Sequence, residues 1–220
     1  MDYSEFLEKK RIIDKASGLS SVPDLNPMLF DFQRDIVQWA LKRGRAAIFA
    51  DCGMGKTAMQ LEWARHIPGN VLIVAPLAVS AQTIREAEKF HAEKIIYSAD
   101  GSVPSRISIT NYERMDHFNP DNYTGIVLDE SSILKSYTGK YRTDLIERFG
   151  NVQYRLACTA TPAPNDFMEL GNHAEFLGAM KRTEMLSMFF VHDGGDTSQW
   201  RVKGHAEEEF WKWVCSWAVM

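Results

Sequence analysis

Ala50-Asp51-Cys52-Gly53-Met54-Gly55-Lys56-Thr57 carries two glycines, a lysine and a hydroxyl in the order that a phosphate-binding loop needs. Gly53 and Gly55, with Met54 between them, let backbone N–H groups turn inward on a phosphate. Lys56 can reach the outer phosphates, and the Thr57 hydroxyl can ligate Mg²⁺. An apolar run precedes this loop and a helical pattern follows it, so the positive end of a helix would face the same anion. The strict pattern has glycine where this chain has Ala50. Further along, Ile126-Val127-Leu128-Asp129-Glu130 ends a second apolar run in two carboxylates. Asp129 would hold Mg²⁺, directly or through water, and Glu130 would orient and polarise an attacking water. A third run ends in Thr159-Ala160-Thr161-Pro162, where the hydroxyls of Thr159 and Thr161 can bond to neighbouring carboxylates or to a switchable loop.

These groups can meet only if parallel strands bring their ends to one carboxyl edge. Strand-like segments at 46–50, 71–75, 106–110, 125–129 and 154–158 alternate with helical patterns, and several are apolar on both faces, as buried parallel strands are. Phe32 to Leu41 places Phe32, Ile36, Val37 and Ala40 on one helix face, and Lys56 to His66 and Ser80 to Phe90 have similar periodicity. The expected architecture is an α/β domain with a mainly parallel central sheet flanked by helices. Residues 1–28 read as a short polar helix and a loop, broken by Pro23, Asn26 and Pro27. From about Asp166 the strand signals stop, and the rest reads as helices joined by the polar loop His192 to Ser198. Phe210, Trp213, Val214 and Trp217 form an aromatic face on a final helix from Glu208 to Met220. No polar residue, glycine or proline closes that helix, so further chain is expected beyond Met220.

With 220 residues, 45% apolar and 25% charged, the chain is suited to one cored domain, and disorder and fibre are excluded. No apolar run is long enough to span a bilayer, and the charged start, MDYSEFLEKKRIIDK, is unlike a signal peptide. An intracellular location is expected, and no membrane partner. Cys52, Cys158 and Cys215 form no paired motif, and His173, His192 and His205 lack ligand spacing, so neither disulfides nor a structural metal is suggested. The net charge of −4 makes any nucleic-acid contact local. Residues 133–155 are the basic stretch, with Lys135, Lys140, Arg142, Arg148 and Arg155 against Asp144 and Glu147, suited to phosphates rather than bases.

Taken in order, these motifs resemble the first, RecA-like motor lobe of a superfamily-2 helicase-like ATPase, of the Swi/Snf type and similar to compact phage and bacterial members. The likeness runs from about Leu29 to Leu177. Leu29-Phe30-Asp31-Phe32-Gln33-Arg34 is similar to the family's Q-motif, which implies that Phe30 and Gln33 face the base of ATP. The family's phosphate loop commonly starts with alanine, as at Ala50. Val74-Ala75-Pro76-Leu77 and Thr110-Asn111-Tyr112-Glu113 are similar to segments near the nucleic-acid track, implying contacts from Pro76, Asn111 and Tyr112. Asp129-Glu130-Ser131-Ser132-Ile133-Leu134-Lys135 aligns with the Asp-Glu-Ala-His box and its lysine, with Ser131 and Ser132 in place of Ala and His. Thr159 to Pro162, followed by Asn165, resembles the motif that links hydrolysis to movement.

The resemblance implies a RecA-like P-loop sandwich over 29–177 and a helical extension over 178–220, ending before a second lobe. It also implies ATP and Mg²⁺ as ligands and sequence-independent duplex DNA as the track. Two other functional classes compete. A small-molecule phosphotransferase would need an arginine-rich lid, whereas Arg182 and Arg201 are not clustered. A non-catalytic module would dock on DNA or protein through Phe210, Trp213 and Trp217.

Overall fold

The computed structural model describes residues 16–90, 93–135, 140–193 and 196–220. The helix expected at the start of residues 1–28 lies largely outside them. Helix α1 (Asp31–Arg43) leads into β1 (Arg45–Phe49), α2 (Lys56–His66), β2 (Val71–Ala75), α3 (Leu77–Lys89), β3 (Ile95–Tyr97) and β4 (Ile107–Asn111). β5 (Gly125–Asp129), α4 (Lys140–Phe149) and β6 (Tyr154–Thr159) complete the central order. α5 (Leu170–Leu177), α6 (Arg182–Phe189), β7 (Phe190–Asp193), β8 (Asp196–Val202), α7 (Glu207–Cys215) and β9 (Ala218–Val219) follow.

Seven strands form one sheet in the order β3-β4-β2-β5-β6-β1-β9, and every pairing in it is parallel. Side chains alternate between two cores because successive strand residues point to opposite faces. Ala46 and Ile48 of β1 pack with Val71, Ile73, Val127 and Cys158 under α1, α2 and α3. Ala47 and Phe49 pack with Leu72, Val74, Leu128 and Ala157 under α4, α5 and α7. The five strands read from sequence are present within one residue at either end. The α1 face differs: Val37, Ala40 and Leu41 are buried, whereas the Phe32 ring is substantially exposed.

The C-terminal part departs from the helical extension expected there. His192 lies in an antiparallel hairpin of β7 and β8 rather than in a polar loop. The last helix stops at Cys215, where the backbone of Ser216 and Trp217 turns, and β9 then pairs alongside β1. Ala47 N donates to Trp217 O at 2.9 Å, which fixes this edge. Phe210, Trp213, Val214 and Trp217 are all buried in the same core as the sheet, with Trp213 and Trp217 rings 5.4 Å apart. The aromatic face is therefore not a docking surface. It already covers β1. No helix among the described residues is long and apolar enough to cross a membrane.

Because Trp217 also meets Phe49 edge-on, it connects the added edge to the strand that feeds the phosphate loop. Trp217→Ala should cost about 3–5 kcal/mol of folding free energy, measured by denaturant unfolding. A loss below about 1 kcal/mol would show that β9 and α7 contribute little to the core.

Candidate nucleotide site

Parallel register decides which loops become neighbours. β6 lies between β5 and β1, with Asp129 opposite Cys158 and Phe49 opposite Thr159. The phosphate-loop segment after Phe49, the acid pair after Leu128 and the Thr159 turn therefore leave one carboxyl edge side by side.

The loop backbone needs its glycines. Gly53 and Gly55 have φ of 81° and 77°, a region that side chains disfavour. A Cβ on Gly53 would meet nothing within 4 Å, so this part of the loop is open, whereas one on Gly55 would collide with Gln33 Nε2. Lys56 Nζ donates to the carbonyls of Ala50 at 2.9 Å and Asp51 at 3.3 Å, which curls the loop around the ammonium. Lys56 and Thr57 open α2 and are half-buried at its N-terminus.

Gln33 is 5% exposed and holds the loop from the side. Its Nε2 donates to Met54 O at 2.9 Å, and its Oε1 accepts from Phe30 N at 3.0 Å. The same amide ties the loop to the entrance of α1. Beside it the Phe30 ring is 68% exposed and lies parallel to Phe32, with centroids 6.1 Å apart and planes within 9°. An open, flat aromatic surface thus adjoins the loop.

Asp129 is only 4% exposed. Its Oδ1 accepts from Gln60 Nε2 at 2.8 Å and from Glu130 N at 3.1 Å. Burial holds the carboxyl above its ordinary range, opposed by the Gln60 bond and reinforced by the nearby Glu130 charge. Glu130 has φ of 52°, the one positive value outside glycine among the described residues. A glutamate held there is a strained backbone position at a site of candidate chemistry. Thr159 Oγ1 donates to Glu130 Oε2 at 3.3 Å and accepts from Thr161 N at 3.1 Å, so the turn after β6 reaches the acid pair as its hydroxyls suggested. The Thr161 side chain is exposed.

Several expected nucleic-acid contacts are placed otherwise. Tyr112 is 3% exposed and its hydroxyl donates to Asp129 O at 2.7 Å, so it supports the acid loop from within and does not face a track. Burial pushes its phenol well above the ordinary value. Asn111 is buried too, accepting from Tyr97 Oη at 2.8 Å and donating to Glu113. Pro76 is half-buried at the start of α3, next to the exposed Leu77. Arg148 spends its guanidinium on the carbonyls of Met115 and Phe118, and the buried Arg155 donates to those of Val152 and Phe176. Two of the five basic residues at 133–155 are thereby structural. The side chains of Lys135 and Lys140 lie outside the described residues.

Sequence reasoning missed two buried supports. Gln60, on α2, is one. The other is His173 on α5, fully buried, with Nε2 3.1 Å from Ser131 Oγ and its ring edge-on to Phe49 at 5.2 Å. Ser131, standing where the family has alanine, supplies the hydroxyl for this contact.

A parallel sheet with a glycine-rich loop and an Asp-Glu pair on one carboxyl edge defines the RecA-like P-loop class. The fold is that of the Sulfolobus solfataricus SWI2/SNF2 ATPase core in complex with dsDNA, with a TM-score of 0.74 and 21% identity over 91% of this chain and 46% of that one. It is also that of the UvsW helicase from bacteriophage T4, with a TM-score of 0.56 and 16% identity over 82% of this chain. In sequence the chain is 28% identical to the DNA annealing helicase and endonuclease ZRANB3 of Mus musculus, over 66% of this chain and 16% of that protein. No family model matches. Fold, motif order and sequence are thus similar to those of superfamily-2 helicase-like motor domains of the Swi/Snf type. The chain spans a small part of the curated relatives it matches.

Burial lowers the His173 pKa from 6.5 to about 4. Between those values the unfolded chain takes up a proton that the native site refuses, so stability should fall by about 3 kcal/mol as the pH drops from 6.5 towards 4. The unfolding free energy of His173→Gln followed over that range should lose this slope. An unchanged slope would place the titration elsewhere.

Proposed function

We propose that this chain is the ATP-binding lobe of a DNA-dependent motor that couples hydrolysis of Mg-ATP to movement along duplex DNA. One observation carries the reading: the phosphate loop, the Asp129-Glu130 pair and Thr159 leave adjacent parallel strands at one edge, with Thr159 bonded to Glu130. The likeness to a SWI2/SNF2 core solved with dsDNA supports the choice of track.

The residues present suit a magnesium-bound triphosphate. The loop is open at Gly53, and the Thr57 hydroxyl and the Asp129 carboxylate are the hard oxygen donors that Mg²⁺ takes together with phosphate oxygens and water. When bound there, the ion supplies charge neutralisation at the outer phosphates. Loop N–H groups and Lys56 hold the β- and γ-phosphates at the positive end of α2. Phe30 offers its exposed face to the adenine, and Gln33 keeps one amide hydrogen and one lone pair for the base edge. Glu130 accepts the proton of the attacking water and aligns it. Its strained backbone and the Thr159 bond make its position responsive to the turn at 159–162, which reads out to the surface at Thr161. Pro76, at the start of α3, and the side chains of Lys135 and Lys140 remain the proposed track contacts. Residues 29–177 form the lobe proper in this reading, and the segment from 178 onward closes its edge. A second lobe that closes on the nucleotide and supplies an arginine finger completes such a site, a group worth about 10³–10⁵ in rate.

Calorimetric titration with Mg-ATP should give saturable binding to the wild-type chain that weakens at least about 10-fold in Lys56→Ala, the loss of a charge-assisted bond to phosphate. Equal affinities would remove the nucleotide reading. Glu130→Gln should bind Mg-ATP as the wild type does and, with the lobe joined to a second lobe, lose about 10²–10⁴-fold in DNA-stimulated turnover, the share of a general base. Turnover at the wild-type rate would assign the water to another group.

A further inference from the structure

Gln60 lies on α2 one turn beyond Thr57 and is fully buried. Its Nε2 donates to Asp129 Oδ1, and its Oε1 is buried with no hydrogen-bond partner among the described residues. A core glutamine satisfied at one end only is a poor stabilising element, because an orphaned buried acceptor gives up its hydration for nothing. An apolar residue would fill the same volume of α2, which is otherwise buried from Ala58 to Ala64, without that loss. The amide's bond to Asp129 is one that no apolar side chain could make, and the same side chain also lies within hydrogen-bonding reach of the buried Cys158 thiol.

Among the described residues, the hydrogen bonds to the Asp129 side chain, from Gln60 Nε2 and from Glu130 N, both end on Oδ1. The carboxylate is thus held against rotation by two donors approaching one oxygen, and Oδ2 is left for an outer ligand. Mg²⁺ demands near-ideal octahedral geometry, so a carboxylate that swings freely serves it badly. Groups that orient a metal's ligands rather than touch the metal commonly set affinity by about 10- to 100-fold.

We propose that Gln60 is the positioning residue for Asp129, and that it makes nucleotide binding by this lobe depend on Mg²⁺. It also joins the two halves of the site mechanically, since the helix opened by the phosphate loop then carries the acid's orientation. A shift of α2 turns the Asp129 carboxylate with it. This inference rests on the reading of the edge as a Mg-nucleotide site.

The test is calorimetry on the full chain with Mg-ATP and with metal-free ATP, comparing wild type with Gln60→Met, of similar volume and with no donor. The Kd for Mg-ATP should rise about 10- to 100-fold while that for metal-free ATP stays within about 2-fold. Unchanged Mg-ATP affinity would overturn the inference, as would equal weakening with and without Mg²⁺, which is what a purely structural role would give. Gln60→Leu serves where methionine disturbs the packing, since it too has no donor for Oδ1 and should lose the same selectivity. A wild-type chain that binds ATP but shows no preference for Mg²⁺ also overturns the inference, whereas one that binds neither form removes the nucleotide reading and this inference with it.

Discussion

A carboxylate kept nearly out of water sets the terms for everything around Asp129. Burying an ionised group is costly unless donors replace its hydration, and the fold assembles those donors from separate parts of the chain. Gln60 comes from the helix after β1, Glu130 N from the next residue, and Tyr112 steadies the carbonyl of Asp129 from the turn after β4. Gln60 and Tyr112 are both buried and distant in sequence from Asp129, so each must be placed by packing rather than by a local turn. The two hydrophobic cores therefore act as the mould for one acid.

The same constraint explains why the strand order matters more than any single motif. With β6 between β1 and β5, the turn after β6 touches the acid pair on one side and adjoins the phosphate loop on the other. An antiparallel or reordered sheet made of the same segments would scatter these groups over two edges. Glu130 is the point at which local backbone preference gives way to this arrangement, since a left-handed glutamate persists only where its surroundings hold it.

What could be read from sequence follows from how local each cause is. The phosphate loop was legible because Gly53 and Gly55 answer a backbone requirement that only their own φ values express. The strands were legible because parallel strands buried on both faces are continuous apolar runs. The Thr159 to Glu130 bond followed from two strand ends sharing an edge. Tyr112 was misplaced because spacing alone does not tell which side of a strand end a ring takes. Gln60 and His173 went unseen because a polar residue in an apolar helix looks alike whether it meets a carboxylate or solvent. The β7–β8 hairpin had one signal, the Asp-Gly-Gly-Asp between two strand-forming runs, and β9 had none, two residues being too few to show a period. Arg148 and Arg155 show the limit of charge counting, for a basic residue can be consumed by carbonyls.

The pairing of Ala218 and Val219 with Ala47 and Ile48 has a consequence for how the lobe comes into being. A chain emerging from the ribosome presents β1 early, yet one edge of that strand stays open until the far end of the segment has been synthesised and has left the exit tunnel. For that interval Trp217 is missing from the core over Phe49, and a strand edge is free to pair with the wrong neighbour. The sheet can be otherwise formed and still be vulnerable, and Ala218 and Val219 act as the clasp that ends the exposure.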